Sequence, residues 1–241
     1  MILQLGSSVH GIFLPHINSV NVLREYQLTL STRKFGARGI KVKRCKTCLI
    51  PKEHCICSVR PEVKSNSAFC LIMYQNEYYK PSNTGRVIAD VIPDNHAFKW
   101  HRINPEPTLL ALLVNPKYAP ILVFPHEYAK AHQCVDSPKD LKDVQQGKTP
   151  LFVILDGTWR EAKKMFKSPS LAHLPVLGIK PKQGSTYKLR EAAHEHQLCT
   201  AEVAIEVLTL AKDHKAADAL ASYFQAFKTA YIIGKPHLIG S

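Results

Sequence analysis

Four cysteines fall within thirteen residues of "RCKTCLIPKEHCIC", as Cys45, Cys48, Cys55 and Cys57. Thiolates are soft ligands, and a C-x2-C knuckle with a second close pair matches the spacing of a tetrahedral zinc site. Four sulfurs close the coordination shell and leave no position for water, so a zinc held there is structural rather than catalytic. The second pair is C-x-C, tighter than the common spacing, which keeps His54 as an alternative ligand. The chain has seven cysteines, an odd number. Crowding four of them together suits a metal in a reducing compartment better than a disulfide framework. A cytoplasmic location is the matching expectation, with Cys70, Cys134 and Cys199 as buried or free thiols.

A second candidate lies in "LFVILDGTWREAKKMF", where Asp156 directly follows a five-residue apolar run. Leu151 to Leu155 read as a buried strand. Thr158 and Glu161 have the spacing of a capping box, so a helix starts at Trp159 and Asp156–Gly157 is the whole connection. In an open α/β sheet the carboxyl end of a strand is where ligands bind, and a helix N-terminus there offers unpaired N–H groups. Asp156 is thus either an acid stabilised by the helix end or a charge set where chemistry needs one. Trp159, Ala162 and Phe166 share a sheet-facing stripe; Arg160, Lys163, Lys164 and Lys167 form the outward one. In "PSNTG", Asn83 or Thr84 can cap a helix while Gly85 permits close backbone approach.

The charge is lopsided. Lys and Arg exceed Asp and Glu by 13, and eight basic residues with no acid lie between Arg33 and Lys52: Arg33, Lys34, Arg38, Lys41, Lys43, Arg44, Lys46 and Lys52. A metal-stapled knuckle with a basic approach is a recurrent grip on nucleic acid, through phosphates rather than sequence. Arg86 and the α-helical Arg160, Lys163 and Lys164 extend the candidate RNA contacts.

The elements that must hold these residues read as three zones. Residues 1–30 are an unpatterned leader, 31–66 a basic zinc-knuckle region, and 67–241 an α/β domain in which apolar runs alternate with helical patterns. Strands are expected at Ala68–Tyr74, Ile121–Phe124, Leu151–Leu155 and Val176–Ile179. Helices are expected at Thr84–Val91, Pro107–Val114, Trp159–Phe166, Ala201–Ala211 and Ala216–Ile233, and a surface loop at Ser137–Thr149. Near-continuous apolar strands imply a sheet covered on both faces. No apolar run of about 18 residues occurs, so no membrane span is expected. The leader lacks a basic n-region and reads as neither signal peptide nor anchor.

Five blocks carry a resemblance. "DGTWREAKKMF", "YKPSNTGRVIADVIPD", "ILVFP", "YKLREA" and "CTAEVAIEVL" stand in the order found in the DTW-domain tRNA-uridine aminocarboxypropyltransferases, and the cysteine cluster resembles that family's N-terminal zinc knuckle. The closest likeness is to bacterial members acting on a variable-loop uridine. The resemblance implies a SPOUT-like, knotted α/β fold. It also implies transfer of the 3-amino-3-carboxypropyl group of S-adenosylmethionine to N3 of a tRNA uridine, leaving 5′-methylthioadenosine. The sulfonium is already a good leaving group, so the site must position the donor, expose its γ-carbon and accommodate loss of the N3 proton. Asp156 is the candidate base, or the partner of the substrate's amino group or sulfonium.

Further cofactor contacts are expected at Asn83, Thr84, Phe124, Pro125, Thr158, Trp159, Tyr187, Arg190, Thr200 and Glu202. Arg190 is suited to a carboxylate and Tyr187 to a base. His126 reads as a satisfied polar residue. Two other readings compete: a methyltransferase on the same scaffold, and a zinc-knuckle RNA-binding module without catalysis.

Overall fold

The computed structural model describes residues 17–32, 42–179 and 198–233. Six strands form one sheet: β1 (Ala68–Met73), β2 (Asn95–Lys99), β3 (Tyr118–Val123), β4 (Cys134–Val135), β5 (Thr149–Asp156) and β6 (Val176–Leu177). Their spatial order is β2-β1-β5-β3-β6-β4, and every pair is parallel. Parallel strands need crossovers that cover both faces. Every residue of β1 is accordingly buried, with alternate residues on opposite faces. Phe69, Leu71 and Met73 face one core, while Ala68, Cys70 and Ile72 face the other.

The helices divide between these faces. The first core takes α1 (Ser19–Thr29), α2 (Gly85–Val91), α6 (Thr200–Leu210) and α7 (His214–Ile233), together with Leu141 of α4 (Pro138–Gln145). The second takes α3 (Pro107–Leu113) and α5 (Trp159–Phe166). The chain therefore leaves β1 toward one face and the adjacent β5 toward the other. That divergence falls at the carboxyl ends of the adjacent strands β1 and β5, where Met73 and Asp156 are in register, the kind of switch point at which open α/β sheets bind ligands.

Four elements differ from the sequence reading. The unpatterned leader contains α1, whose cap is Asn18 accepting from the Asn21 N–H at 3.0 Å, with Val20 and Leu23 buried against the first core. Two buried apolar positions are too few for a helical pattern to stand out. The expected loop at 137–149 contains α4. Its Ser137 accepts from the Asp140 N–H while Asp140 accepts from that of Ser137, and Gln146 in the left-handed region ends it. This helix buries only Leu141, so its polarity resembles a loop's. β2 and β4 are edge strands. β2 is half-buried throughout and β4 is two residues long, so neither has an apolar run to find.

The cysteine segment packs onto the first core. Cys48, Ile50 and Ile56 lie in the same core as α2, α6 and α7.

Candidate functional site

Asp156 ends β5 with its side chain 2 % exposed. Two neutral donors orient its carboxylate: Asn83 Nδ2 donates to Oδ2 at 2.8 Å, and the Thr200 hydroxyl donates to Oδ1 at 3.2 Å. Asn83 comes from the loop before α2 and Thr200 is the first residue of α6. The same two elements meet again where the Ala201 N–H donates to Thr84 Oγ1 at 3.3 Å. Asn83 also accepts from the Arg86 N–H at 3.1 Å, which fixes its amide with the NH2 toward Asp156. Four expected residues, Asn83, Thr84, Asp156 and Thr200, are thereby brought together from three separate parts of the chain. Gly85 permits this. The close approach expected there is made to Asp156, since a Cβ on Gly85 would sit 2.4 Å from Oδ2.

On the other side of β5, Glu161 accepts from both the N–H and the hydroxyl of Thr158, each at 2.7 Å, so the expected helix start at Trp159 is present. Thr158 serves that cap. Trp159 is half-buried and stacks on Phe124, which follows β3, with ring centroids 5.3 Å apart. Phe166 stacks on the same Phe124 ring at 4.5 Å. Pro125 begins a short 3-10 turn, and Tyr128 on that turn meets Trp159 edge to face at 5.8 Å. A second aromatic pair, Tyr74 and Trp100, stacks at 5.4 Å after β1 and β2. The sequence reading passed over Tyr74, Trp100 and Tyr128. Aromatics placed just after apolar strands were the available signal.

Glu202 makes a cap: its carboxylate accepts from the Cys199 N–H at 2.8 Å and closes the first turn of α6. Burial, with Glu202 beside it, pushes the Cys199 thiol up to about 12. His126 Nε2 accepts from the Gly178 N–H at 2.7 Å while Nδ1 faces Asp136 at 3.1 Å. The ring thus braces the turn after β6. Tyr187 and Arg190 lie outside the described residues.

The four cysteine sulfurs lie within 4.8 Å of one another. Cys45 and Cys57 are 3.6 Å apart, and Cys48 and Cys55 3.7 Å. A tetrahedral zinc with sulfurs at its usual bond length spaces them at about 3.8 Å, so the set fits. His54 is not part of the group. The knuckle closes through the Cys45 N–H to the Ile50 carbonyl at 2.8 Å, with Leu49 held at φ 57° between them. Burial works against ionisation of Cys45, but the backbone N–H groups of Cys48 and Thr47, with the neighbouring thiols, outweigh it and bring its pKa to about 6. Burial raises Cys48 and Cys57. The cluster can hold a zinc ion.

A family model for the DTW domain matches residues 42–232. The chain belongs to the DTW-domain family. No solved structure matches it. Membership supports a function in tRNA modification, with tRNA as partner. No helix among the described residues is long and apolar enough to cross a membrane.

For a DTW-domain protein the placement of its cations matters. Lys43 and Arg44 flank the cysteine cluster, and Arg44 Nη1 donates to the Leu49 carbonyl at 3.1 Å. Arg160 and Lys164 are exposed on α5. Lys163 instead lies over the rings of Tyr128 and Trp159, its Nζ 4.9 and 5.2 Å from their centroids. The knuckle and α5 cover opposite faces of the sheet, so among the described residues their basic groups do not form one strip. Arg33, Lys34, Arg38 and Lys41 lie outside the described residues. Arg86 corrects an expectation. It is 2 % exposed, inside the core, and its guanidinium is not on the surface for RNA to touch.

Proposed function

We propose that this DTW-domain protein is an S-adenosylmethionine-dependent aminocarboxypropyltransferase that acts on N3 of a tRNA uridine, with a structural zinc in its cysteine knuckle. The observation that carries the reading is Asp156: a buried carboxylate at the sheet's switch point, oriented by Asn83 and Thr200 from two other blocks of the resemblance. Both of those donors are neutral groups that set the direction of the carboxylate. A donor that carries an ammonium and a sulfonium suits that site.

In the reaction, the bond from uridine N3 to the γ-carbon forms as the carbon–sulfur bond breaks, the sulfur leaves as a neutral thioether, and N3 gives its proton to Asp156 or to water. Asp156 orients the cationic donor so that its γ-carbon faces the uracil. Asn83 and Thr200 hold Asp156, and Gly85 lets them close on it. Phe124 and Trp159 offer stacked apolar rings after β3 and β5. Arg160, Lys163, Lys164, Lys43 and Arg44, with Arg33, Lys34, Arg38 and Lys41 from outside the described residues, are the proposed tRNA contacts. Tyr187, Arg190 and Pro125 are proposed for the donor's carboxylate and adenine. A SPOUT-like, knotted path and a cytoplasmic location belong to the same proposal.

Mass spectrometry of nucleosides from tRNA treated with enzyme and S-adenosylmethionine tests the reading. The expected results are an aminocarboxypropyl-uridine and 5′-methylthioadenosine. A methylated nucleoside with S-adenosylhomocysteine would overturn it in favour of methyl transfer, and no product would leave a binding module. Asp156→Asn is expected to abolish the product. Metal analysis is expected to give about one zinc per chain.

A further inference from the structure

Aromatic residues line the carboxyl end of the sheet. In sheet order, β2, β1, β5 and β3 are followed directly by Trp100, Tyr74, Gly157 and Phe124. Gly157 is the exception because Tyr74 needs the space: a Cβ on Gly157 would lie 3.1 Å from Tyr74 Cβ. The parallel ladder runs one residue past β1 and β2. The Trp100 N–H donates to the Met73 carbonyl and the Tyr74 N–H to the Asp156 carbonyl, each at 2.8 Å. Backbone bonds thus tie both ring-bearing residues to Asp156.

The pair is braced but not covered. The rings of Tyr74 and Trp100 stack at 5.4 Å with 22° between their planes, and Trp100 Nε1 donates to the hydroxyl of the buried Ser168 at 2.9 Å. Both side chains pack on the second core and stay half-buried. Rings locked in one orientation and left partly open offer a π surface that costs little further ordering to use. Lys99 precedes Trp100 and the exposed Arg102 follows two residues later, which sets positive charge for phosphate beside the stack.

Position decides which base the rings meet. Met73 is in register with Asp156 and faces the first core, the side from which Asn83 and Thr200 reach the carboxylate. Tyr74 faces the second core, on a strand about 4.8 Å across from β5. A base held at the Asp156 carboxylate lies on the wrong face for these rings, and the nucleotide beside it falls on theirs. We infer that Tyr74 and Trp100 are a stacking platform for the unpaired tRNA base next to the target uridine. This rests on the tRNA-uridine reading above. Bases splayed out of a single-stranded RNA loop are held by stacking on aromatic side chains, and every base has a π face. The platform therefore holds the loop in place without selecting its sequence.

The test measures binding of an unmodified tRNA transcript to the full chain over a range of salt. Tyr74→Leu and Trp100→Leu are each expected to weaken binding by about tenfold, a typical loss for one stacked base. The slope of log K against log salt should stay as in the wild type, because no charge is removed. Tyr74→Phe and Trp100→Phe keep a ring and should keep most of the affinity. In Trp159→Phe, Trp100 is the one tryptophan left in the chain, and saturating tRNA should quench its emission. That measurement decides the matter if the leucine variants do not fold. Unchanged affinity in folded leucine variants, equal losses in the leucine and phenylalanine variants, or a reduced salt slope would overturn the platform. Unquenched Trp100 emission would do so where fluorescence decides. A wild-type chain that binds tRNA through these rings but forms no aminocarboxypropyl-uridine would overturn the proposed reaction and leave the platform standing.

Discussion

Gly85 and Asp156 touch through a gap that only a hydrogen fills: a Cβ on Gly85 would lie 2.4 Å from Asp156 Oδ2 and 3.2 Å from Asn83 Oδ1. The first residue of α2 and the last of β5 are thus in contact at the place where the sheet opens. Neither atom can give way cheaply, because Asp156 is buried and Asn83 is fixed by the Arg86 N–H. Gly85→Ala is expected to push α2 and the carboxylate apart. A displacement of that size near a reacting centre costs about 100-fold in kcat/KM, and the overpacking about 1–3 kcal/mol of stability. Initial rates and urea unfolding of the variant measure both. Wild-type kcat/KM would mean that Asp156 does not need its present position.

Asn83 separates hydrogen bonding from charge at the same carboxylate. Asn83→Ala leaves Asp156 Oδ2 and the Arg86 N–H each short of a partner and is expected to cost about 1–3 kcal/mol. Asn83→Asp restores the acceptor for Arg86 but sets a like charge where a donor stood 2.8 Å from Asp156. The expected order of stability at neutral pH is therefore wild type, then alanine, then aspartate. Chemical denaturation ranks them. An aspartate variant as stable as the alanine one would contradict a charged Asp156.

The legible parts of this protein were those in which one short stretch carries its own physics. Asp156–Gly157 between a run of five apolar residues and a capping box is local, and both flanking elements formed as read. The cysteine spacing is local too, and its four sulfurs converge. What the sequence hid was pairing across distance. Arg86 reads as one more cation until α1, α2 and α7 close over it. Glu202, expected as a cofactor contact, is by contrast a local case: its carboxylate caps α6 through the Cys199 N–H three residues earlier. Edge strands such as β2 have one neighbour and little to bury, so polarity masks them.

At the opposite end of the sheet, Asp94 makes a pH-dependent contribution. Its carboxylate meets His96 Nε2 at 3.0 Å, Lys117 Nζ at 2.6 Å and the Tyr118 hydroxyl at 2.9 Å. These partners, His96 foremost, hold its pKa well below the usual carboxylate range. A pKa lowered by folding stabilises the native state above the unfolded value and loses that effect as pH falls toward the folded one. Asp94→Asn should then cost about 1 kcal/mol near pH 7, a modest figure for a partly exposed group. The gap should close as pH drops below about 4. Urea midpoints across that range measure it, and a gap that stays constant with pH would assign the loss to packing instead.

Lys163 and Lys164 are neighbours on α5 with different surroundings, and tRNA binding should tell them apart. Lys164 is exposed, so as a phosphate contact it acts through charge alone. Lys164→Ala is expected to weaken tRNA binding evenly across sequences and to reduce the slope of log K against log salt by about one. Lys163 lies half-buried over Tyr128 and Trp159, where its ammonium also holds the ring pair together. Lys163→Ala should lower the salt slope by a similar amount and, in addition, change the fluorescence of Trp159, which Lys164→Ala should leave alone. A Trp100→Phe background makes Trp159 the sole reporter, because the chain has two tryptophans. Equal fluorescence in both variants would mean that Lys163 does not organise the rings. An unchanged salt slope in both would remove α5 from the RNA-binding surface and leave the knuckle side of the sheet to carry it.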